Sequence, residues 1–185
     1  MIENFLGDAT QRMAKSVDAT HEHFNSVRTG RASAALLDRI QIDYYGTLTP
    51  LKNLATISAP EPRLLTIQPF DPSAVKQVEK AVLESDLGLT PSSDGKVVRL
   101  PIPQLTEERR KELVKLVRQM AEEGRVAVRN VRRDAIKHLE DLVKNGDVGD
   151  DDERAAESRV QKLTDEHVGK IDELLKRKEA EIMEV

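Results

Sequence analysis

The chain has 185 residues, 34% of them charged and 38% apolar, with a formal net charge of −4 and only five aromatic side chains. The negative balance excludes a uniformly basic nucleic-acid binder, so any contact with RNA or DNA has to come from a local patch; the absence of cysteine excludes disulfides, thiolate metal sites and thiol nucleophiles. No apolar run approaches the ~20 residues that cross a bilayer, and the acidic start of the chain has neither the apolar core of a signal peptide nor the arginines of a transit peptide, so a soluble cytoplasmic protein without membrane contacts is expected.

In residues 2–28, Ile2, Leu6, Ala9, Met13, Val17, Thr20, Phe24 and Val27 recur at alternating steps of three and four. This is the pattern of a bundle helix, on the order of 40 Å long. It runs towards Gly30, a C-terminal cap or a hinge.

From residue 31 to 104 the composition changes. All eight prolines lie between Pro50 and Pro103. Residues 39–45 (RIQIDYY) alternate as a strand ended by Gly46, and 54–58 and 63–68 are further strands separated by Pro60 and Pro62. Pro72 suits the first turn of a short helix with Val75, Val78, Val82 and Leu83 on one side, stopped by Gly88. A turn at 92–95 and a strand over 96–102 complete a small α/β unit. In the pair Tyr44-Tyr45, either both rings form a stacking platform or one is core and its neighbour exposed, and strand alternation favours the second.

Helical periodicity returns at Leu105. Thr106 is an N-cap, with Glu107 and Glu108 in the first turn, and Leu113, Leu116, Val117, Met120, Ala127, Val131, His138 and Leu142 trace an apolar stripe to a stop at 144–146 (KNG). Gly124, unfavourable in a helix by up to about 1 kcal/mol, is either a place of close backbone approach or a weak spot. After the acidic run 150–153, a third helix carries Val160, Leu163, His167, Ile171, Leu174 and Ile182. Three amphipathic helices can bury one another's stripes, and none is stable alone in water. The expected fold is therefore α+β with two domains. An elongated three-helix bundle, discontinuous over 1–30 and 105–185, carries a small hinged, β-rich α/β insertion over 31–104. The linkers, Gly30 and Arg31 on one strand and Pro103, Gln104 and Leu105 on the other, form the hinge.

The strongest chemical signal is residues 124–135 (GRVAVRNVRRDA). At about 100° per residue, Arg125, Arg129, Arg132 and Arg133 fall within an arc of roughly 100° on the flank of the face formed by Val128, Val131 and Ala135. Lys111, Lys115 and Arg118 project into the same arc. Guanidinium forks at fixed pitch suit phosphate oxygens and bases; the alternative is a solvated face paired with Glu122, Glu123 or Asp134. Catalytic signals are missing. His21 and His23 point apart on a helix, His138 and His167 fall in core registers, and there is no phosphate loop, nucleophile elbow or metal-ligand spacing. No enzyme activity, metal or cofactor is expected. A three-helix adaptor whose arginines bind an acidic protein helix is the rival to an RNA binder, and a steep salt dependence would mark the RNA binder.

Five segments, 27–33 (VRTGRAS), 43–46 (DYYG), 85–89 (SDLGL), 105–114 (LTEERRKELV) and 124–135, give the chain a resemblance to the bacterial ribosome recycling factor family over essentially its full length. Ala34 and Leu48 stand where proline is common in that family, which touches insertion and hinge geometry and no functional group. The resemblance implies an L-shaped monomer without cofactor. It implies binding to the post-termination ribosome at the subunit interface through large-subunit ribosomal RNA, and action with elongation factor G and its GTP hydrolysis to split the subunits and free messenger and transfer RNA. The family's RNA contacts carry over onto Arg129 and Arg132, with Arg125 and Arg133 as neighbours and Arg28 and Arg31 nearer the hinge. Arg109 and Arg110 match the family motif, and either touch RNA or pair within the hinge.

Overall fold

The computed structural model describes residues 1–184. The chain divides into two compact units, one comprising Met1–Thr29 and the chain from Thr106 onward, the other Gly30–Leu105. Gly30 and Leu105, which the sequence reading leaves with the helices, fall in the second unit. A Cβ on Gly30 would stand 3.1 Å from Leu105 Cγ.

The first unit is a bundle of α1 (Ile2–Ser26), α3 (Glu107–Lys144) and α4 (Asp150–Met183), each packed against the other two. The first helix ends at Ser26, where Val27 turns extended and returns its N–H to Phe24 O, so Gly30 lies beyond the cap. Thr106 Oγ1 accepts from Arg109 N and starts α3. The α3 end is a Schellman turn: Gly146 takes φ +79°, its N–H donates to Val143 O, and the next N–H donates to Leu142 O. Four acidic residues fill the first turn of α4, where the helix dipole favours them.

Met13 and Phe24 of α1, Val117, Ala121, Val128 and Leu139 of α3, and Val160 and Ile171 of α4 are buried. The buried α3 stripe runs through Leu113, Val117, Ala121, Gly124, Val128, Val131, Ala135 and Leu139; it keeps Leu113, Val117 and Val131 of the expected one and departs from it elsewhere, for Leu116 is 40% exposed and His138 lies outside the core with its ring stacked on Phe5 at 5.8 Å. The expectation of a core histidine fails at His138 because Ala135 and Leu139 take the inward positions on either side of it. His167 is buried, with Nδ1 at 2.6 Å from Leu163 O, so that nitrogen carries the proton. The other buried hydroxyls are satisfied within their own helices, Thr20 on Ser16 O and Thr164 on Val160 O.

The three helices come close together at Gly124. A Cβ there would overlap Thr20 Oγ1 and stand 3.2 Å from Ile171 Cδ1, so α1 and α4 both come up to α3 where the side chain is missing. Close approach, not local weakness, explains this glycine.

The second unit holds an antiparallel hairpin, β1 (Gln41–Tyr44) with β2 (Thr47–Pro50), and a four-stranded antiparallel sheet in the order β3-β4-β6-β5. The sheet strands are β3 (Ala55–Glu61), β4 (Leu64–Pro69), β5 (Ser92–Ser93) and β6 (Val98–Pro101). Leu65 and Ile67 of β4 and Val98 and Leu100 of β6 point to one face, and α2 (Val75–Glu84) covers it with Val75, Val78 and Val82. Leu83, expected on that side, is 63% exposed; at about 100° per residue it lies roughly 140° from Val78. The hairpin turns through Tyr45 (φ +49°) and Gly46 (φ +82°), the left-handed pair of a two-residue type I′ loop. Tyr45 is 82% exposed with Tyr44 edge-on to it at 4.6 Å, and Tyr44 is half-buried with its hydroxyl donating to Asp71 Oδ2. Residues 92–93, expected in a turn, pair with β6 instead.

After β5, Asp94 accepts from the N–H groups of Val97 and Lys96 at 2.9 and 3.1 Å and from Arg99 Nη1 at 3.1 Å. These bonds hold its carboxyl down at about 2, against an ordinary 3.8. The unfolded chain binds the proton more readily, so this contribution is complete above about pH 4 and is lost as pH falls through about 2. Chemical-shift titration of the Asp94 carboxyl is expected to give a midpoint near the lower value, and Asp94→Ala to lower the melting temperature at pH 7 while flattening its fall in acid. Gly124→Ala is expected to destabilise the bundle by about 1–3 kcal/mol through overpacking, outweighing a helix-propensity gain of at most about 1 kcal/mol. Thermal melts should show the loss in Gly124→Ala and its recovery in Thr20→Ala/Gly124→Ala.

Candidate nucleic-acid interface

The arginines of α3 lie along and beside its seam with α4, where the 3.6-residue turn carries them away from the buried face. They are not equivalent. Arg125 is the most enclosed, its side chain 20% exposed: Nε donates to Asp172 Oδ1 of α4 at 2.8 Å and Nη1 to Glu122 Oε2 at 2.9 Å. Burial alone would lower its pKa, but the hydrogen bonds to Asp172 and Glu122 outweigh that and raise it. Arg129 is 43% exposed and donates from Nη1 to the other oxygen of Glu122, at 3.0 Å. One carboxylate thus bridges two guanidiniums, and the bonds from Arg125 and then Arg129 hold its pKa below the ordinary value. Arg132 is half-buried and donates to Gln161 Oε1 of α4 at 3.2 Å. Arg133 is exposed and meets no acceptor among the described residues.

Of Glu122, Glu123 and Asp134, the three acids of α3 flanking residues 125–133, only Glu122 pairs with these arginines. Asp134 takes Arg12 of α1 at 2.7 Å, and Glu123 accepts from Gln119. Upstream, Arg118 Nε donates to Glu179 Oε1 at 2.6 Å, and Lys111 pairs with Glu107. The face left to a partner is Arg129, Arg132 and Arg133, with exposed Val126 among them. An exposed pair such as Arg129–Glu122 adds little stability, so exchanging the carboxylate for a phosphate costs little.

The remaining predicted residues lie elsewhere. Arg28 is exposed in the helical unit, just past α1, and Arg31 is exposed in the sheet unit. Ala32 N donates to Pro62 O and Ile102 N to Arg63 O, tying residues beside both linkers to the sheet. Pro103 and Gln104 are exposed, and Leu105 is half-buried against Gly30. Arg109 pairs with Glu112 at 2.9 Å, whereas Arg110 is half-buried with an Nε that finds no acceptor. Among the described residues no group of His, Asp and Glu is placed to hold a metal ion, and no helix is long and apolar enough to cross a membrane.

The sequence reading missed what α4 supplies to the stripe: Glu179, Asp172 and Gln161. The signal was present as a spacing of seven in both rows, Arg118/Arg125/Arg132 and Asp165/Asp172/Glu179, but it acquires meaning only once the helices are known to run antiparallel in this register.

With this arrangement established, similarity to known proteins is specific. The family profile described as ribosome recycling factor matches residues 20–183. The ribosome-recycling factor of Rubrobacter xylanophilus is 57% identical over 180 residues, covering 97% of each chain, and that of Geobacillus kaustophilus is 54% identical over 185 residues, the whole of both. A solution structure of the ribosome recycling factor aligns with a TM-score of 0.71 at 43% identity, covering 100% of this chain and 98% of the other. A second structure, described as models for the T. thermophilus ribosome recycling factor and the E. coli elongation factor G bound to the E. coli post-termination complex, aligns with a TM-score of 0.63 at 44% identity over the full length of both chains. A helical bundle with a small antiparallel sheet unit, matched from end to end by these proteins, leaves one assignment: the chain belongs to the ribosome recycling factor family, a non-enzymatic translation factor that acts in ribosome recycling.

Proposed function

We propose that the exposed row of α3 binds large-subunit ribosomal RNA at the subunit interface of the post-termination ribosome. Arg129, Arg132 and Arg133 bind phosphates there, Arg125 braces the row from behind, and Arg28 and Arg31 add charge nearer the linkers. The observation that carries this reading is the placement of the guanidiniums: they stand at helical pitch on a packed bundle, so little side-chain freedom is lost when each meets a phosphate. Elongation factor G is the partner, supported by the assembly in which a similar chain occupies a post-termination complex with that factor. Its GTP hydrolysis supplies the energy, the linkers at Gly30–Arg31 and Pro103–Gln104–Leu105 act as the hinge, and the stiff bundle transmits the push that separates the subunits and frees messenger and transfer RNA. The chain works as a monomer in the cytoplasm, without a cofactor.

Cosedimentation with isolated large subunits tests the RNA face. Arg132→Ala and Arg129→Ala are each expected to weaken binding by about 1–3 kcal/mol with folding intact, and to reduce the slope of log affinity against log salt by about one. Unchanged affinity in both variants would remove α3 as the binding face. Glu122→Gln abolishes the bridging carboxylate, and the affinity is expected to rise about two- to fivefold; a fall would show that Glu122 orients the arginines more than it competes for them.

A further inference from the structure

Arg118, Arg125 and Arg132 stand seven residues apart on α3 and face α4 across one seam. On α4, which runs the other way, Glu179, Asp172 and Asp165 also stand seven apart, so both rows present a group every two turns. The first two rungs close as ion pairs, Arg118 Nε with Glu179 Oε1 at 2.6 Å and Arg125 Nε with Asp172 Oδ1 at 2.8 Å. The third does not close. Gln161, one turn before Asp165, stands between the partners: Arg132 Nη1 donates to Gln161 Oε1 at 3.2 Å, and Gln161 Nε2 donates to Asp165 Oδ1 at 2.8 Å. The amide can take only this orientation, because a guanidinium offers donors alone and a carboxylate acceptors alone. Among the described residues Arg132 makes no ion pair.

We propose that Gln161 is a positioning residue for the RNA face: it holds Arg132 in a fixed direction by a neutral hydrogen bond and keeps Asp165 from claiming it, so that Arg132 meets an RNA phosphate as an oriented, uncompensated cation. This rests on the reading of α3 as the RNA-binding face. An arginine already held by a carboxylate exchanges one anion for another when a phosphate arrives. Arg132 exchanges nothing, because its bond to Gln161 engages one N–H and leaves the rest of the fork available for a phosphate. The ladder thereby divides the row: Arg118 and Arg125 are structural rungs, and Arg132 is the rung left open.

The test is affinity for isolated large subunits, across a salt series, of full-length wild type, Arg132→Ala, Gln161→Glu, Gln161→Met and Arg132→Ala/Gln161→Glu, with melting curves for each. Gln161→Glu supplies the missing carboxylate and is expected to weaken binding about tenfold, with a salt slope lowered by about one phosphate contact. In the Arg132→Ala background the same change is expected to alter affinity less than about twofold, because its effect runs through Arg132. Gln161→Met, neutral and close in size, lets Asp165 take Arg132 and is expected to weaken binding about threefold, a loss that an unspecific charge effect would not produce. If Arg132→Ala weakens binding while Gln161→Glu and Gln161→Met do not, the role of Gln161 is overturned and the RNA face stands. If Gln161→Glu weakens binding equally in both backgrounds, general repulsion accounts for it and the role is again overturned. If Arg132→Ala has no effect, the RNA face itself is wrong, and this inference falls with it.

Discussion

Everything in the helical unit is referred to the place where Gly124 has no side chain. Because nothing projects there, Thr20 of α1 and Ile171 of α4 both come within contact of α3, and the relative sliding of three helices is fixed at one point. Ion pairs on the surface could not do this, since exposed pairs contribute little; steric fit at a packed centre can, because cores tolerate neither voids nor overlap. The residues that follow are then placed in turn. Asp172 is next to Ile171 and Arg125 is next to Gly124, so the two meet across the seam. Seven residues on, Glu179 meets Arg118; seven residues the other way the position is Asp165, and Gln161, one turn before it, takes Arg132 instead.

That register sorts chemically identical side chains into different tasks. Arg125 is enclosed between two carboxylates and stiffens the seam. Arg129 shares Glu122 and can be released at small cost. Arg132 is oriented without being neutralised, and Arg133 stands in solvent. A protein of net negative charge thus presents a narrow cationic edge. If this edge meets RNA as proposed, long-range attraction is modest and recognition depends on short-range, charge-assisted bonds. For a factor that must leave the ribosome as well as enter it, an edge of few strong contacts beside internal anions that compete for them is a physically sensible arrangement.

The helices, the proline-rich unit and the location of the cationic stripe were legible in the sequence, because each rests on periodicity or composition. The finer inward set was less so. His138 and Leu116 share the broad apolar arc but lie at its margin, and the small residues Ala121, Gly124 and Ala135, which carry little hydrophobic signal, occupy the centre because the helices come close there. Strand β2 was not legible for a related reason: its Leu48 is exposed and its end is a proline, so the pairing with β1 comes from the Tyr45–Gly46 turn and not from a buried face. Of the partners of the arginines, Glu122 was among the acids that the sequence offered, whereas Asp172, Gln161 and Glu179 were hidden because they lie on another helix. Local sequence shows where charges cluster. Only the packing of α3 against α4 shows which of them are already spent.

The central claim is that the outer edge of α3 beside Arg129 and Arg133 lies against large-subunit RNA. The chain has no cysteine, so a single thiol introduced by Val126→Cys can carry a hydroxyl-radical source at the middle of that edge, with Ala19→Cys on the exposed side of α1 as the comparison. On post-termination ribosomes the account predicts strong, localised cleavage of large-subunit RNA from position 126 that is competed by unlabelled protein and exceeds that from position 19. Strong cleavage from position 19 with none from position 126 would contradict it.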